Sequence, residues 1–322
     1  MSYQCAVIGD ITLDRFLLLS NIPILPSPSN PGNFILSLEI GHKIPVSKII
    51  ESVGGNAFNL AYGLNTLQIK TALISSIGTD SLSNHILHII KNTGIDTAYV
   101  VQSDKSSINQ SSILSIEGER IVLSHHQPKD YTQITLPQTE WMYITSVSEG
   151  SKELLKNIAF NEDNPYKIAL NPGSYLLKNN LSLIQSLLPY TSITFVNKEE
   201  AQQITNHTSE ESIPNLINLL HNMGVPMVVM TDGNNGAYAS TEENIFHIPS
   251  RKIEHVAETT GAGDAFAAGF LAGFIHSSSI QIALKWGAVQ ASSVLREIGS
   301  VNGLSSMSEV LEIAENLQTQ SL

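Results

Sequence analysis

Charge is scarce in this 322-residue chain: Asp, Glu, Lys and Arg make up only 14% of it, and 17 basic against 29 acidic side chains leave a net charge of −12. No Lys/Arg cluster is dense enough to follow a phosphate backbone, so long-range electrostatics oppose nucleic acid as a partner. The one cysteine, Cys5, excludes an internal disulfide, and its place in the apolar run Cys5-Ala6-Val7-Ile8 predicts a buried structural thiol. No apolar run reaches the roughly 20 residues that a membrane span needs. No basic segment near Met1 leads into a long apolar core, so no membrane association is expected and the cytoplasm is the default location. The ten histidines show no zinc spacing; His85 and His88 share a helical face without further ligands, and His125-His126 ends a strand-like segment.

Hydrophobic residues supply 42% of the chain, enough for a sizeable core. No repeat, low-complexity tract or linker divides residues 1–322, which reads as a single α/β domain. Tyr3 to Ile8 is a short buried strand broken at Gly9-Asp10, so Asp14 falls beyond a strand end, where ligands collect in open α/β sheets. Pro23, Pro26, Pro28, Pro31 and Pro45 make the next stretch unfit for a central layer; with an exposed strand over Asn33 to Ile40 it reads as a cover. A hairpin over Ser111 to Ile116 and Arg120 to His125, turning at Glu117-Gly118-Glu119, extends that cover. The lid is thus assigned to about 13–48 and 99–126.

From Trp141 onward strands near 141–145, 167–170, 193–196 and 225–231 alternate with helices near 150–160, 179–188, 197–205 and 210–223, the pattern of a parallel sheet with right-handed crossovers. A short antiparallel pair, Ala237 to Ser240 with Asn244 to Ile248, follows the turn-rich Thr231-Asp232-Gly233-Asn234-Asn235-Gly236, and helices near 279–297 and 306–317 close the chain.

Two glycine-rich helix starts carry the chemistry. Gly54-Gly55-Asn56-Ala57-Phe58-Asn59 runs into Leu60, Ala61, Leu64 and Leu67 at helical spacing, and Gly261-Ala262-Gly263-Asp264 precedes an apolar helical segment. Small residues at a helix start let backbone N–H groups converge on an anion, and Asp264 puts a carboxylate beside them.

Gly54 to Ala61 and Glu258 to Phe270 resemble the N-terminal and C-terminal signatures of the ribokinase-like (PfkB) carbohydrate and nucleoside kinases, and the likeness runs in order over nearly the whole chain. It implies a doubly wound, mostly parallel sheet between helices with a small β-lid, and transfer of the γ-phosphate of ATP to a hydroxymethyl group. Phosphoryl transfer asks a protein mainly to align the acceptor oxygen and spread charge. The resemblance assigns Asp264 as general base and the Gly261, Ala262, Gly263 and Asp264 backbone as anion hole. Asp14, Thr12, Gly54, Gly55 and Asn59 become the acceptor clamp, with Asn171-Pro172-Gly173 at its border, and Thr231, Gly233, Gly236 and Thr260 the nucleotide side. Asn197 and Glu200 would organise Mg²⁺ through water; their spacing is also that of a helix capping box. Relatives usually begin the C-terminal signature with Asp and use it to help place K⁺; here Glu258 is one methylene longer, and carbonyls around Gly299 complete the implied seat. No Gly-x-x-x-x-Gly-Lys-Ser/Thr run occurs, which disfavours a P-loop kinase.

The leading expectation is a kinase for a small sugar or sugar derivative. A nucleoside kinase is the alternative, needing a lid-side base pocket for which Phe34, Tyr99 and Tyr131 are the candidates. A non-catalytic sugar or nucleotide sensor is the alternative of another class, against which the intact Gly-Ala-Gly-Asp argues. Lids of this family can form dimer contacts, so a homodimer through the lid is a further expectation.

Overall fold

Alternate residues of the first strand feed two cores, which is what places a sheet between two helical layers. The computed structural model describes residues 2–28, 34–116, 119–148, 150–161, 165–207 and 211–322. The N-terminal half runs β1 (Tyr3–Ile8), β2 (Thr12–Leu19), β3 (Ile24–Pro26), β4 (Phe34–Leu36), β5 (Val46–Gly54), α1 (Asn56–Thr66), β6 (Thr71–Ile77), α2 (Ser81–Asn92), β7 (Asp96–Gln102), β8 (Asn109–Ile116) and β9 (Glu119–His125). The middle runs β10 (Thr139–Ile144), α3 (Lys152–Ala159), β11 (Lys167–Leu170), α4 (Gly173–Asn179), α5 (Leu181–Leu187), β12 (Ile193–Asn197), α6 (Lys198–Thr205) and α7 (Ile213–Asn222). The chain ends with β13 (Val228–Thr231), β14 (Ala237–Ser240), β15 (Ile245–Ile248), α8 (Ala262–Ser277), α9 (Ile280–Val294), α10 (Met307–Glu315) and β16 (Gln320–Ser321).

Ten strands form the main sheet in the order β16-β15-β14-β13-β12-β11-β10-β1-β6-β7. Pairing is parallel from β13 through β7 and antiparallel among β13, β14, β15 and β16. Cys5 and Val7 pack with α1, α2, α8 and α9, whereas Ala6 and Ile8 pack with α3 to α7. This is the ribokinase-like architecture that the motifs implied. Because β1 has β6 on one side and β10 on the other, the strand order reverses beside it, and a crevice forms at the carboxyl ends.

The lid is a separate four-stranded sheet, β5-β2-β8-β9, flanked by the β3-β4 hairpin. Its boundaries differ from the expected ones: 99–102 belong to β7 of the main sheet, and 46–54 join the lid as β5. Among the described residues of the expected strand 33–40, only Phe34–Leu36 is a strand, because its partner β3 is three residues long. Pro31, Asn33 and the Glu117-Gly118 turn lie outside the described residues. The helix expected near 179–188 is α5, and a further short helix, α4, which the sequence reading did not include, precedes it.

Candidate active site

Asp264 enters the site on the first turn of α8. Gly261 caps that helix at φ 82°, and a Cβ there would stand 2.3 Å from the Ser300 carbonyl oxygen, so only glycine lets the loop lie against the 299–301 segment. Gly263 is the opposite case, since a Cβ built on it meets nothing within 4 Å. Its open Cα faces a cavity of about 220 Å³ that Gly261, Ala262, Gly263 and Asp264 share with Asn56, Arg120, Asn171, Asn197, Glu200 and Thr231. First-turn N–H groups have no acceptor within the helix, although the Ala262 N–H makes a long bond of 3.4 Å to the Thr259 carbonyl, and the helix dipole adds positive potential there. That open cradle fits a phosphoryl group.

The Asp264 carboxylate is held by a relay of polar side chains. Asn59 Nδ2 donates to Asp264 Oδ2 at 2.8 Å, and the Asn59 Oδ1 accepts from Ser300 Oγ at 2.8 Å. Asn59, expected at the acceptor, is engaged by Asp264 and Ser300. Burial pushes the Asp264 pKa up to about 7 against the opposing Asn59 hydrogen bond, with the Glu200 and Asp14 charges adding to the rise. A carboxylate so tuned accepts a proton near neutral pH.

At the other end of the cleft, Asp14 is 6% exposed on β2, and burial raises its pKa to about 6 although Ser111 hydrogen-bonds to it. Gly54 at the end of β5 is required by this carboxylate, because a Cβ there would lie 2.0 Å from Asp14 Oδ2. Gly55, at φ 91°, starts α1 with its Cα side against Asp10 O and the Thr12 amide, so Thr12, Gly54 and Gly55 form one continuous wall beside Asp14.

Asn197 and Glu200 form a complete capping box on α6: the Glu200 N–H donates to Asn197 Oδ1 at 2.8 Å, and the Asn197 N–H donates to Glu200 Oε2 at 2.9 Å. Both still line the cavity. Burial raises the Glu200 pKa, the Asn197 N–H opposes it, and the Glu199 charge adds to it. Among the described residues no group of three acidic, His or Cys side chains could cage a metal. Glu200 near Asp264 fits instead the Mg²⁺ pattern of one or two carboxylates completed by water and phosphate.

The nucleotide-side residues divide. Thr231 ends β13 on the cavity, and Gly233, at φ 51°, is open within 4 Å of its Cα side. Gly236, at φ 98°, is a turn requirement, since a Cβ would lie 2.0 Å from the Ile248 carbonyl oxygen. Thr260 directs its hydroxyl to Glu258 Oε1 at 3.0 Å, and its neighbour Thr259 lines the cavity in its place.

The implied K⁺ seat does not fit. Glu258 Oε1 already accepts from the Thr259 N–H at 2.8 Å, the Thr260 N–H at 3.1 Å and the Thr260 hydroxyl, and the Arg120 guanidinium stands 3.3 Å away. A cation would meet donors and fixed positive charge there. Gly299, at φ 118°, is instead the turn that brings Ser300 to Gly261 and Asn59.

Asn171, expected at the border of the acceptor clamp, lines the cavity beside Asp264. Sequence reasoning gave no role to Arg120, which looked like an ordinary strand residue, or to Asn56 within its motif. It also missed Asp10, whose buried carboxylate accepts from Asn109 Nδ2 at 3.0 Å, the Tyr131 hydroxyl at 2.7 Å and the Ser148 hydroxyl. The acid two residues after β1 was the available signal.

A family description, pfkB family carbohydrate kinase, matches residues 36–307. The chain belongs to the PfkB carbohydrate kinase family. This kinase is 24% identical over 293 residues to a 5-dehydro-2-deoxygluconokinase of Lacticaseibacillus casei, covering 84% of this chain and 88% of that one. In fold it is similar to the nucleoside kinase of Methanocaldococcus jannaschii, with a TM-score of 0.76, 21% identity and coverage of 97% and 98%. It is also similar to Arabidopsis thaliana ribokinase complexed with ribose and ATP, with a TM-score of 0.79, 16% identity and coverage of 98% and 99%. No helix of the described residues is long and apolar enough to cross a membrane.

Proposed function

We propose that this kinase transfers the γ-phosphate of ATP to a hydroxymethyl group of a small sugar or sugar derivative. The observation that carries the reading is Asp264: a carboxylate raised to about pKa 7, fixed by Asn59 and set on the first turn of a helix whose start is an open anion cradle. Asp264 takes the acceptor hydroxyl's proton. The α8 amides hold the phosphoryl oxygens while Asp14, with the glycine wall beside it, fixes the acceptor's other hydroxyls. Glu200, backed by Asn197, would hold Mg²⁺ through water; when bound, the ion neutralises charge on the phosphates. Thr231 and Gly233 border the nucleotide.

The sugar reading is favoured over a nucleoside by the aromatic residues. Tyr131 is committed to Asp10, Tyr99 stacks edge-on with Tyr3 at 5.9 Å, and Phe34 lines a lid cavity with Ile24, Leu36 and Leu114 that meets the cleft cavity at Arg120. None of the three lines the cleft cavity. ADP release against sugars, sugar acids, amino sugars and nucleosides tests the choice; turnover confined to nucleosides contradicts it.

The lid face opposite Asp14 carries Ile49 and Ile121, in register with Leu17 and Leu114, and Leu123, in register with Ser112 and Arg15, at 58%, 41% and 56% exposure. We assign that face to a homodimer. Sedimentation of wild type and Leu123→Asp tests it, and a wild-type monomer contradicts it.

A further inference from the structure

Glu258 and Arg120 take no part in the base or in the acceptor clamp, yet they join the two halves of the cleft. Glu258 is 1% exposed. A carboxylate so enclosed is tolerated only where donors and positive charge meet it. Its donors come from its own loop, the N–H groups of Thr259 and Thr260 and the Thr260 hydroxyl. Its positive charge comes from the lid, where Arg120 donates to the same Oε1 at 3.3 Å. Arg120 pairs in register with Ser115 and Ser115 with Leu18, an even number of residues along β2 from Asp14, so Arg120 and Asp14 share the cleft-facing side of the lid. The Arg120 side chain also lines the cavity bounded by Gly261, Ala262 and Gly263.

We propose that the Arg120–Glu258 ion pair is a latch through which lid closure sets the anion loop, with Arg120 as a positioning residue supplying from the protein the positive charge at Glu258. One carboxylate oxygen holds both amides that precede Gly261, so the place of Glu258 fixes the turn that launches α8. When Arg120 withdraws, the enclosed carboxylate keeps its hydrogen bonds but loses its counter-charge, and it moves toward water with Thr259 and Thr260 attached. Asp14 rides on the same lid sheet. Clamping the acceptor and ordering the phosphate cradle therefore become one event, and ATP is not presented to water while the lid is open. Only this last consequence rests on the phosphoryl-transfer reading; the latch is a property of the chain without ligand.

The test is hydrogen exchange of the full chain without nucleotide, for wild type, Arg120→Ala and Arg120→Lys, in equal concentrations of potassium chloride and tetramethylammonium chloride. Wild-type exchange at Thr259 and Thr260 is expected to be slow and the same in both salts. Arg120→Ala is expected to exchange there roughly tenfold faster in tetramethylammonium. K⁺ should restore part of the protection by entering the vacated charge position, and Arg120→Lys should keep most of it. Thermal melting checks that the variants are folded, as a side chain one-third exposed at the lid permits. Wild-type protection that requires K⁺ overturns the proposal, as does Arg120→Ala exchange equal to wild type, or a loss that neither K⁺ nor Lys repairs. No nucleotide is present, so a negative result leaves the assignment of Asp264 standing, and a failure of that assignment leaves the exchange result standing.

Discussion

At the scale of single residues, burial raises the pKa values of the site's carboxylates, Asp264 to about 7 with the Glu200 and Asp14 charges adding to the rise, and Asp14 to about 6. Asp264 must be ionised to accept a proton, and its pKa is raised to about 7, so kcat/KM is expected to climb as pH rises through about 7. Measured against pH, a profile already flat from about pH 5 upward contradicts that tuning. Asp14 carries a stability consequence of definite sign. Its folded pKa of about 6 lies above the ordinary carboxylate value, so the folded chain binds a proton that the unfolded chain has released. The resulting stabilisation is complete below about pH 4 and is lost as pH rises through about 6. Asp14→Asn, which still accepts from Ser111, should therefore be more stable than wild type at about pH 8 by on the order of 2 kcal/mol, with the gain gone near pH 4. Urea titrations at the two pH values read this directly. Acceptor binding should weaken in the same variant.

At the scale of elements, the start of α8 contains two glycines with opposite demands. Gly263 faces open space, so Gly263→Ala should keep the melting temperature or raise it, because alanine favours helix by about 1 kcal/mol. Its methyl group fills the phosphate cradle, so kcat should fall more than acceptor affinity. Gly261→Ala combines φ 82° with a clash against Ser300 and should cost roughly 1–3 kcal/mol of stability as well as activity. Melting and steady-state kinetics on the pair separate fold from function. These glycines were legible in the sequence because helix-start chemistry is local. So was the Asn197–Glu200 spacing, which forms a capping box and also lines the cavity. The hydrogen bonds of Asn59 were not legible because its partners, Asp264 and Ser300, come from distant segments, and no local pattern shows which way an amide will turn.

At the scale of the whole molecule, the parallel sheet followed from strand and helix periods, and its crevice from the strand order beside β1. The lid was legible as a cover but not in its limits, since β5 and β7 look alike in sequence and only pairing assigns one to the lid and the other to the main sheet. Two tertiary features were hidden for the same reason. Asp10 gathers the entry of β8 through Asn109, the lid's exit through Tyr131 and the loop after β10 through Ser148, which makes it the root of the lid. Asp10→Ala should leave those buried donors unpaired and cost about 3 kcal/mol or more, with lid exchange accelerated beyond that of the sheet. Arg120 likewise has meaning only once the lid lies over α8. The proposed transfer depends above all on Asp264 as the proton acceptor between the two ends of the cleft. Steady-state ADP release by Asp264→Asn, beside wild type and with ATP binding measured in parallel, tests it most directly. Turnover should fall by roughly 10²–10⁴-fold while ATP still binds; turnover comparable to wild type contradicts the assignment.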